Sequence, residues 1–525
     1  MFQIPDQMNA ADYFVDRNLR QGRGNHVAVI DAGDGREYTY QEIHDQVNRF
    51  GNALREALAT RVEERVLLLL LDSPAFVASF FGSIKIGAVP VPANTLLQPD
   101  EYVYLLNDTR ARVLVVSAPL AAKVVPILPH ARYLEHLMVV GEVETQGLPD
   151  ALQVHDYRDL LEHASAKLAP ETMTKDDACF WLYSSGTTGF PKGTVHLQHD
   201  MLFCVETYAK QVLQIQENDR MFSVAKLFFA YGLGNALYFP FAVGASTVLY
   251  PGKPDPESFY ALIDRYKPSI FYCVPTAYAA LLNYKDAARF DTSSLRLCVS
   301  AGEALPPALY KQWHERFGVE ILDGIGSTEA LHIFISNRPG QVKPGTSGKI
   351  VPGYEAKIVD ENGQEVATGE VGDLWIRGDS ICAYYWNQHQ QTKETISGHW
   401  IRTGDKYCKD EEGYFHYQGR SDDMIKVSGM WVSPIEIENT LAEHPAVLES
   451  GVIGAPDETG LLKPKAFVVL KSGHEPSEDL SQELSAFVKA RIAGFKYPRW
   501  IAYVDELPKT ATGKIQRYKL RQRPA

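Results

Sequence analysis

The sequence predicts an α/β protein with a large N-terminal domain of helix-covered mixed sheets and a small C-terminal α+β domain. Short apolar runs alternate with amphipathic stretches over the first 300 residues, short alternating segments follow from about residue 340, and mixed patterning returns after Arg420. Repeated strand–helix–strand order is typical of parallel sheets covered by helices. We therefore predict an N-terminal domain at residues 1–420, with a β-rich subdomain at about 340–420, and a C-terminal domain at residues 421–525.

Apolar runs rich in Val, Ile and Leu are predicted to be buried strands. They occupy residues 66–71, 113–116, 137–140, 247–250, 270–274 and 295–300. Residues 41–58 have apolar side chains at helical spacing and are predicted to form an amphipathic helix. Its buried face would consist of Ile43, Val47, Phe50, Leu54 and Leu58. Ligands of such folds bind beyond the carboxyl ends of the strands, so we expect the functional site at that edge.

Turn and capping signals mark the second half of the chain. Asn362 and Gly363 stand between two alternating segments, which is a strong hairpin signal. Ser433 followed by Pro434 predicts the start of a helix, with the serine as its N-cap and the proline at its first position.

Composition excludes several classes of protein. The 525 residues are 45% hydrophobic and 22% charged, which argues against disorder and fibrous structure. The net charge of −13 disfavours general binding to nucleic acid or anionic membranes. We find neither a signal-peptide pattern nor an apolar run near the roughly 20 residues that span a bilayer. The six cysteines lack zinc-site spacing and are predicted to be buried free thiols. We expect the protein to be cytoplasmic and to be a monomer or a homodimer.

The most informative segment is residues 183–193, YSSGTTGFPKG. Glycines let the backbone approach a ligand, hydroxyl groups add hydrogen-bond donors, and the lysine adds a positive charge, which together make a phosphate cradle. The spacing differs from a Walker A loop. The residues predicted to contact phosphate are Ser184, Ser185, Gly186, Thr187, Thr188 and Lys192.

This segment closely resembles the phosphate-binding motif of the adenylate-forming enzymes, which include acyl-CoA synthetases, adenylation domains of peptide synthetases and firefly-type luciferases. Five further motifs of that family follow in its order. They are SAGEAL at 300–305, DGIGSTE at 323–329, RTGD at 402–405, GRSDDMIKVSG at 419–429 and PKTATGKIQR at 508–517. The resemblance covers the chain from about residue 30 to its end and implies activation of a carboxylate by ATP.

The resemblance also implies individual roles. Lys514 would bridge the carboxylate and the α-phosphate, with Thr188 and Lys192 as further catalytic residues. Glu329 would bind Mg²⁺ with support from Thr328, because a hard cation suits carboxylate and phosphate oxygens. The remaining residues expected at the nucleotide are Gly302, Glu303, Ala304, Asp323, Gly324, Asp405 and Arg420, the last two at the ribose. Ile325 stands where the family usually has an aromatic residue.

A second set of expectations concerns coenzyme A. In the family a small C-terminal domain rotates about one residue, here Asp422, between adenylation and thioester formation. Gly429 would line the pantetheine tunnel, and Lys496 and Arg499 are candidates for the CoA phosphates. Trp431 stands where the family often has arginine.

The acid pocket would be formed by aromatic residues and one small residue, which predicts a flat apolar slot. Its candidate residues are Phe229, Ala230, Tyr231, Gly326, His332 and Ile333. The segments LFFAYGLGN and DGIGSTEALHIF resemble those of bacterial benzoate–CoA ligases. Hydroxybenzoate, 2-aminobenzoate, other aryl or medium-chain acids, and a carrier-protein acceptor remain alternatives, as do a luciferase and a catalytically inactive scaffold.

Overall fold

The computed structural model describes residues 2–142, 148–184, 191–421, 423–427, 430–457, 461–492, 496–509 and 515–522. Parallel and antiparallel strands with helices on both sides confirm the predicted α/β class. Within the described part of the chain, no helix is both long and apolar enough to cross a bilayer.

The larger of two helix-covered sheets has nine strands among the described residues, and its five central pairings are parallel. In spatial order its strands are Lys349–Ile350, Ile333–Ser336, Ile321–Gly326, Leu297–Ser300, Ile270–Cys273, Arg220–Ser223, Ser246–Leu249, Val27–Asp31 and Glu37–Thr39. The outer pairs are antiparallel. The carboxyl ends of Leu297–Ser300 and Ile321–Gly326 therefore lie side by side, and each leads directly into a predicted nucleotide-binding segment.

The second sheet is entirely parallel. Its strands are Val89–Pro92, Arg65–Leu69, Val113–Ser117, His136–Val140 and Gln153–Asp156. The three inner strands are almost completely buried, as their continuous apolar sequences predict. The six strands predicted in the two sheets are all present, with ends displaced by at most two residues.

Most of the longer helices begin with proline at their first position, where the missing N–H costs no hydrogen bond. Those with this start are Pro74–Lys85, Pro99–Thr109, Pro256–Tyr266, Pro275–Asn283, Pro307–Phe317 and Pro434–Ala442. The other α-helices are Arg17–Arg20, Tyr40–Asn52, Ala118–Val124, Tyr157–His163, Asp200–Cys204, Ala230–Leu233, Phe239–Val243, His389–Thr395, Glu478–Arg491 and Arg517–Arg521. The predicted amphipathic helix is Tyr40–Asn52, which continues as a π-helical turn, and its five predicted apolar residues are buried.

Two smaller sheets are formed by other strands of the described residues before position 421. One pairs Tyr384–Tyr385, Lys192–Leu197 and Ala178–Ser184. The other contains Glu355–Val359, Gly372–Arg377, Trp400–Lys409, Ile396–Ser397 and Phe415–Arg420. The predicted turn at Asn362–Gly363 is present, but the segment after it forms only a single bridge, from Val359 to Glu365. The strand that pairs along Glu355–Val359 is instead Gly372–Arg377, so the predicted hairpin is not formed by the adjacent segments.

The C-terminal residues have a hydrophobic core of their own, which includes Ile437, Leu441, Val452, Val468 and Leu484. Strands Val447–Pro456, Leu462–Leu470 and Trp500–Tyr503 form one sheet there, and Ile425–Val427 pairs with Met430–Val432. The helix Pro434–Ala442 has Ser433 as its N-cap, as predicted, and the serine hydroxyl accepts from the Glu436 N–H. All six cysteines are free, and five are buried.

Candidate active site

The predicted phosphate loop joins two antiparallel strands, Ala178–Ser184 and Lys192–Leu197. Ser184 lies opposite Lys192 in this pairing, so the strand ends hold the hydroxyl and the ammonium on either side of the loop entrance. Seven predicted site residues lie outside the described residues: Ser185, Gly186, Thr187, Thr188, Asp422, Gly429 and Lys514.

A compact cluster forms around Glu329. Its Oε1 accepts a hydrogen bond of 2.8 Å from the Tyr385 hydroxyl and one of 3.3 Å from the Ser184 hydroxyl. The Lys192 ammonium lies 5.4 Å from the centre of the Tyr385 ring, within the range of a cation–π interaction. The structure thus brings Glu329, predicted to bind Mg²⁺, next to Ser184 and close to Lys192, two residues of the predicted phosphate motif.

The backbone beside Glu329 is held by a buried pair. His196 lies in the strand Lys192–Leu197 and Asp200 begins the helix that follows it, with 2.7 Å between His196 Nδ1 and Asp200 Oδ2. The other ring nitrogen of His196 lies 2.9 Å from the Thr328 carbonyl oxygen. Both side chains are fully buried. Through the contact with Thr328, this pair fixes the backbone of the residue next to Glu329.

The predicted ribose-binding residues are neighbours in the structure. Asp405 and Arg420 are paired across two antiparallel strands, and Arg420 Nη1 lies 3.2 Å from Asp405 Oδ1. Gly404 has a φ of +75°, and a Cβ there would lie 2.9 Å from Arg420 Nη2. Glycine at this position therefore lets the guanidinium rest against the backbone beside the aspartate.

Asp323 lies at the carboxyl side of the large sheet. Its Oδ2 accepts from the Leu305 N–H at 3.2 Å, while Oδ1 is buried and has no hydrogen-bond partner among the described residues. Burial raises the pKa of Asp323 to about 8. The carboxyl group is therefore largely protonated at neutral pH. The bond to Leu305 places it next to the exposed or half-exposed residues Gly302, Glu303 and Ala304.

The predicted acid pocket contains an aromatic cluster centred on His332. The imidazole lies 5.7 Å from the Tyr231 ring, 5.3 Å from the Tyr208 ring and 4.5 Å from the Phe239 ring, measured between ring centres. Burial lowers the pKa of His332 to about 3, so the ring is neutral at physiological pH. Its Nε2 lies 3.1 Å from Asn235 Oδ1.

The Tyr231 hydroxyl is occupied by the protein itself. It lies 3.3 Å from the Cys273 carbonyl oxygen and 3.2 Å from that of Val299, and donates to this pair. Burial raises the pKa of this hydroxyl well above its usual value. The hydroxyl therefore fixes the Tyr231 ring to the ends of two strands, with the ring centre 5.7 Å from that of His332.

The other pocket candidates differ in exposure. Ile333 and Ala230 are buried, Phe229 is half-buried, and Gly326 is exposed. Gly234 leaves room for the His332 ring, because a Cβ at this position would lie only 2.4 Å from His332 Cδ2.

The candidate CoA-binding residues lie in the C-terminal region. Lys496 forms an ion pair with Glu436, at 2.6 Å from Nζ to Oε2. The Arg499 guanidinium lies 4.0 Å from the centre of the Tyr497 ring. Lys496 is thus held at the first turn of the helix Pro434–Ala442, and Arg499 is held against the Tyr497 ring.

Sequence reasoning missed Tyr385, His196 and Asn235. His196 is in the strand Lys192–Leu197 and Asp200 begins the helix Asp200–Cys204, so their four-residue spacing is not that of one helix face. Tyr385 follows Glu329 by 56 positions and reaches it only because Tyr384–Tyr385 pairs with Lys192–Leu197. Nothing local in the sequence indicates that contact.

Comparison with known proteins places this chain in a family. Residues 15–386 match the AMP-binding enzyme family, and residues 436–514 match the AMP-binding enzyme C-terminal domain. The chain is 51% identical to the benzoate–CoA ligase of Thauera aromatica over 520 residues, covering 99% of this chain and 97% of that protein.

Two solved structures have the same fold. One is an anthranilate CoA ligase in complex with anthranoyl-AMP, with a TM-score of 0.93 and 47% identity over 99% of this chain and 97% of that one. The other is a benzoate CoA ligase from Burkholderia xenovorans, with a TM-score of 0.89 and 45% identity over 98% of this chain and 100% of that one. With matches over most of its length, the chain belongs to the AMP-binding enzyme family.

Proposed function

We propose that this chain is an ATP-dependent ligase that adenylates benzoate and transfers the benzoyl group to coenzyme A. A benzoate oxygen attacks the α-phosphorus of ATP, the bond to pyrophosphate breaks, and pyrophosphate leaves. The CoA thiol then loses its proton, its sulfur attacks the carbonyl carbon, and the C–O bond to AMP breaks. Similarity to a benzoate–CoA ligase over 99% of the chain supports both steps.

The observation that carries the choice of acid is the uncharged aromatic pocket around Tyr231 and His332. The His332 ring is neutral, and the Tyr231 hydroxyl is bonded to backbone carbonyls. An acid with a second charge would lose its hydration at this aromatic wall, which is costly. A flat ring with one carboxylate fits these walls best.

On the phosphate side, positive charge must bring two anions together. We assign this role to Lys192 and, by family resemblance, to Lys514 and Thr188. Glu329 and Thr328 would hold Mg²⁺, which neutralises phosphate charge when bound. A hard cation suits the oxygen donors of Glu329 and Thr328. No group of three or more His, Cys, Asp or Glu suited to a metal occurs in the described part of the chain, so phosphate oxygens and water would complete the coordination.

For the nucleotide, we assign adenine to the surface beside Asp323. The buried and unpartnered Oδ1 of Asp323 is suited to accept from the exocyclic amino group. Asp405 would accept from the ribose hydroxyls, and Arg420 would hold that carboxylate in place. The residues that complete this surface are Gly302, Glu303, Ala304 and Gly324.

We further propose that the chain alternates between two domain orientations, with domains at residues 1–420 and 421–525 and with Asp422 as the hinge. The separate C-terminal hydrophobic core supports a rigid unit beyond that residue. Gly429 would line the CoA channel, and Lys496 and Arg499 would contact CoA phosphates.

One competition assay tests the proposed function. Purified protein with ATP, Mg²⁺ and CoA is given equal amounts of acetate, octanoate, benzoate, 4-hydroxybenzoate, 2-aminobenzoate and 4-coumarate, and thioesters are identified by mass spectrometry. We expect benzoyl-CoA to dominate. Octanoyl- or coumaroyl-CoA as the main product would overturn the pocket assignment, and acyl-adenylate without thioester would indicate a carrier-protein acceptor.

A ring-substituted benzoate is the second candidate, and one observation favours it. His332 Nδ1 and Asn235 Nδ2 are both buried and have no hydrogen-bond partner among the described residues. A hydroxyl or amino substituent that reached either atom would satisfy a buried polar group. Dominance of 4-hydroxybenzoyl- or 2-aminobenzoyl-CoA in the same assay would select this alternative.

A further inference from the structure

Tyr385 lies between the two charged groups that the proposed function places at the phosphates. Its hydroxyl donates to Glu329 Oε1 at 2.8 Å, and its ring centre is 5.4 Å from the Lys192 ammonium. The side chain is only 4% exposed. One buried side chain therefore contacts the proposed cation ligand through its oxygen and the proposed phosphate ligand through its ring.

The backbone around Tyr385 is fastened on both sides. The Cys382 N–H donates to the Glu329 carbonyl at 2.7 Å, and the Trp386 N–H donates to the Gly193 carbonyl at 2.8 Å. These bonds join the tyrosine strand to the Glu329 segment and to the residue after Lys192. The ring is thus placed by the backbone before any ligand binds, which reduces the entropy cost of ordering the site.

The hydrogen bonds to Glu329 are directional. Both Tyr385 and Ser184 donate to Oε1, while Oε2 has no hydrogen-bond partner in the described part of the structure. Two donors on one oxygen fix the rotation of the carboxylate and leave the other oxygen to face a ligand. Partners of this kind tune the groups that hold a metal ion.

We propose that Tyr385 is a positioning residue for adenylation. Its hydroxyl orients Glu329 toward Mg²⁺-bound ATP, and its ring face holds the Lys192 ammonium near the phosphates. This inference rests on the proposed function and adds a residue that the phosphate motif does not contain.

The test separates the two contacts. Tyr385→Phe keeps the ring and removes the hydroxyl, and Tyr385→Leu removes both contacts. Tyr384→Phe is the matched control, because Tyr384 is the preceding residue of the same strand and is 40% exposed. ATP binding is measured by isothermal titration calorimetry with Mg²⁺ and with EDTA, and benzoate-dependent ATP–pyrophosphate exchange is measured over a Mg²⁺ titration.

We expect Tyr385→Phe to weaken ATP binding with Mg²⁺ by about tenfold, a typical effect of removing a partner of a metal ligand, and to leave binding in EDTA within about twofold. Tyr385→Leu should weaken both, because Lys192 also loses its support. Tyr384→Phe should match the wild type.

Unchanged Mg²⁺-dependent binding in Tyr385→Phe would overturn the proposal, as would equal losses with and without the cation. The Phe variant alone decides the proposal if the Leu variant does not fold. Should the wild type bind ATP but exchange pyrophosphate with none of the acids, the proposed function would be wrong, whereas calorimetry would still decide the role of Tyr385.

Discussion

If Asp323 receives the adenine amino group, ATP binding should be coupled to proton release. Burial raises the pKa of Asp323 to about 8, so about three quarters of the carboxyl groups are protonated at pH 7.5. An amino group donating to Oδ1 favours the ionised form. If the pKa in the complex falls well below 7, binding releases about 0.7 proton per ATP at pH 7.5 and about 0.1 at pH 9.

The same shift affects stability, with a definite sign. The pKa of Asp323 is higher in the folded chain than the ordinary value of 3.8, so the folded state holds a proton that the unfolded chain has lost. The stabilising contribution is complete below pH 3.8 and declines by about 1.4 kcal/mol per pH unit until pH 8. Asp323→Asn should remove this slope.

The assay is calorimetry of ATP binding in buffers with different ionisation enthalpies, where the slope of observed enthalpy against buffer enthalpy gives the protons released. Asp323→Asn is the control, because it retains an acceptor oxygen and cannot titrate, so protons from the nucleotide cancel in the comparison. Equal proton release by the two proteins would refute the reasoning.

Three further outcomes are expected. Lys514→Ala should lower the adenylation rate by orders of magnitude yet still form thioester from supplied benzoyl-adenylate, and equal loss of both steps would contradict domain alternation. Gly234→Ala should raise the KM for benzoate with little change in that for ATP, because its Cβ would lie 2.4 Å from His332 Cδ2; unchanged steady-state kinetics would disprove that contact's importance. Asp405→Ala should weaken ATP binding about 100-fold through lost charge-assisted hydrogen bonds, and weaken 2′-deoxy-ATP binding less; equal losses for the two nucleotides would exclude a ribose contact.

The fold was predictable where one local signal determined the structure. The run at 113–116 is a buried strand, as expected of a short, valine-rich apolar run in a parallel sheet covered on both faces. Ser433 and Pro434 start a helix because they satisfy its first turn. At Asn362 and Gly363 the turn was predicted correctly. The strand before it, Glu355–Val359, pairs with the more distant strand Gly372–Arg377, which no local signal indicates.

The site was only partly predictable. The phosphate motif singled out Ser184 and Lys192 from the sequence, and the structure places Ser184 against Glu329 and Lys192 over the Tyr385 ring. Tyr385 carries no such signal, since a tyrosine in an apolar run such as ICAYYW is usually a core residue. Its contact with Glu329 depends on strand pairing between distant segments.

Glu329 and His332 are three residues apart and are assigned to different substrates of the proposed adenylation, ATP and the acid, and separate partners hold them. The Glu329 carbonyl accepts from the Cys382 N–H, and its carboxylate accepts from Tyr385, so the phosphate side is fixed by hydrogen bonds. His332 is held by aromatic packing, with the Phe239 ring 4.5 Å away, and by one contact of 3.1 Å from its Nε2 to Asn235 Oδ1. Packed aromatic walls tolerate changes of shape better than a hydrogen-bonded carboxylate tolerates loss of a donor. Substitutions behind His332 should therefore change which acid is accepted while the adenylation chemistry persists.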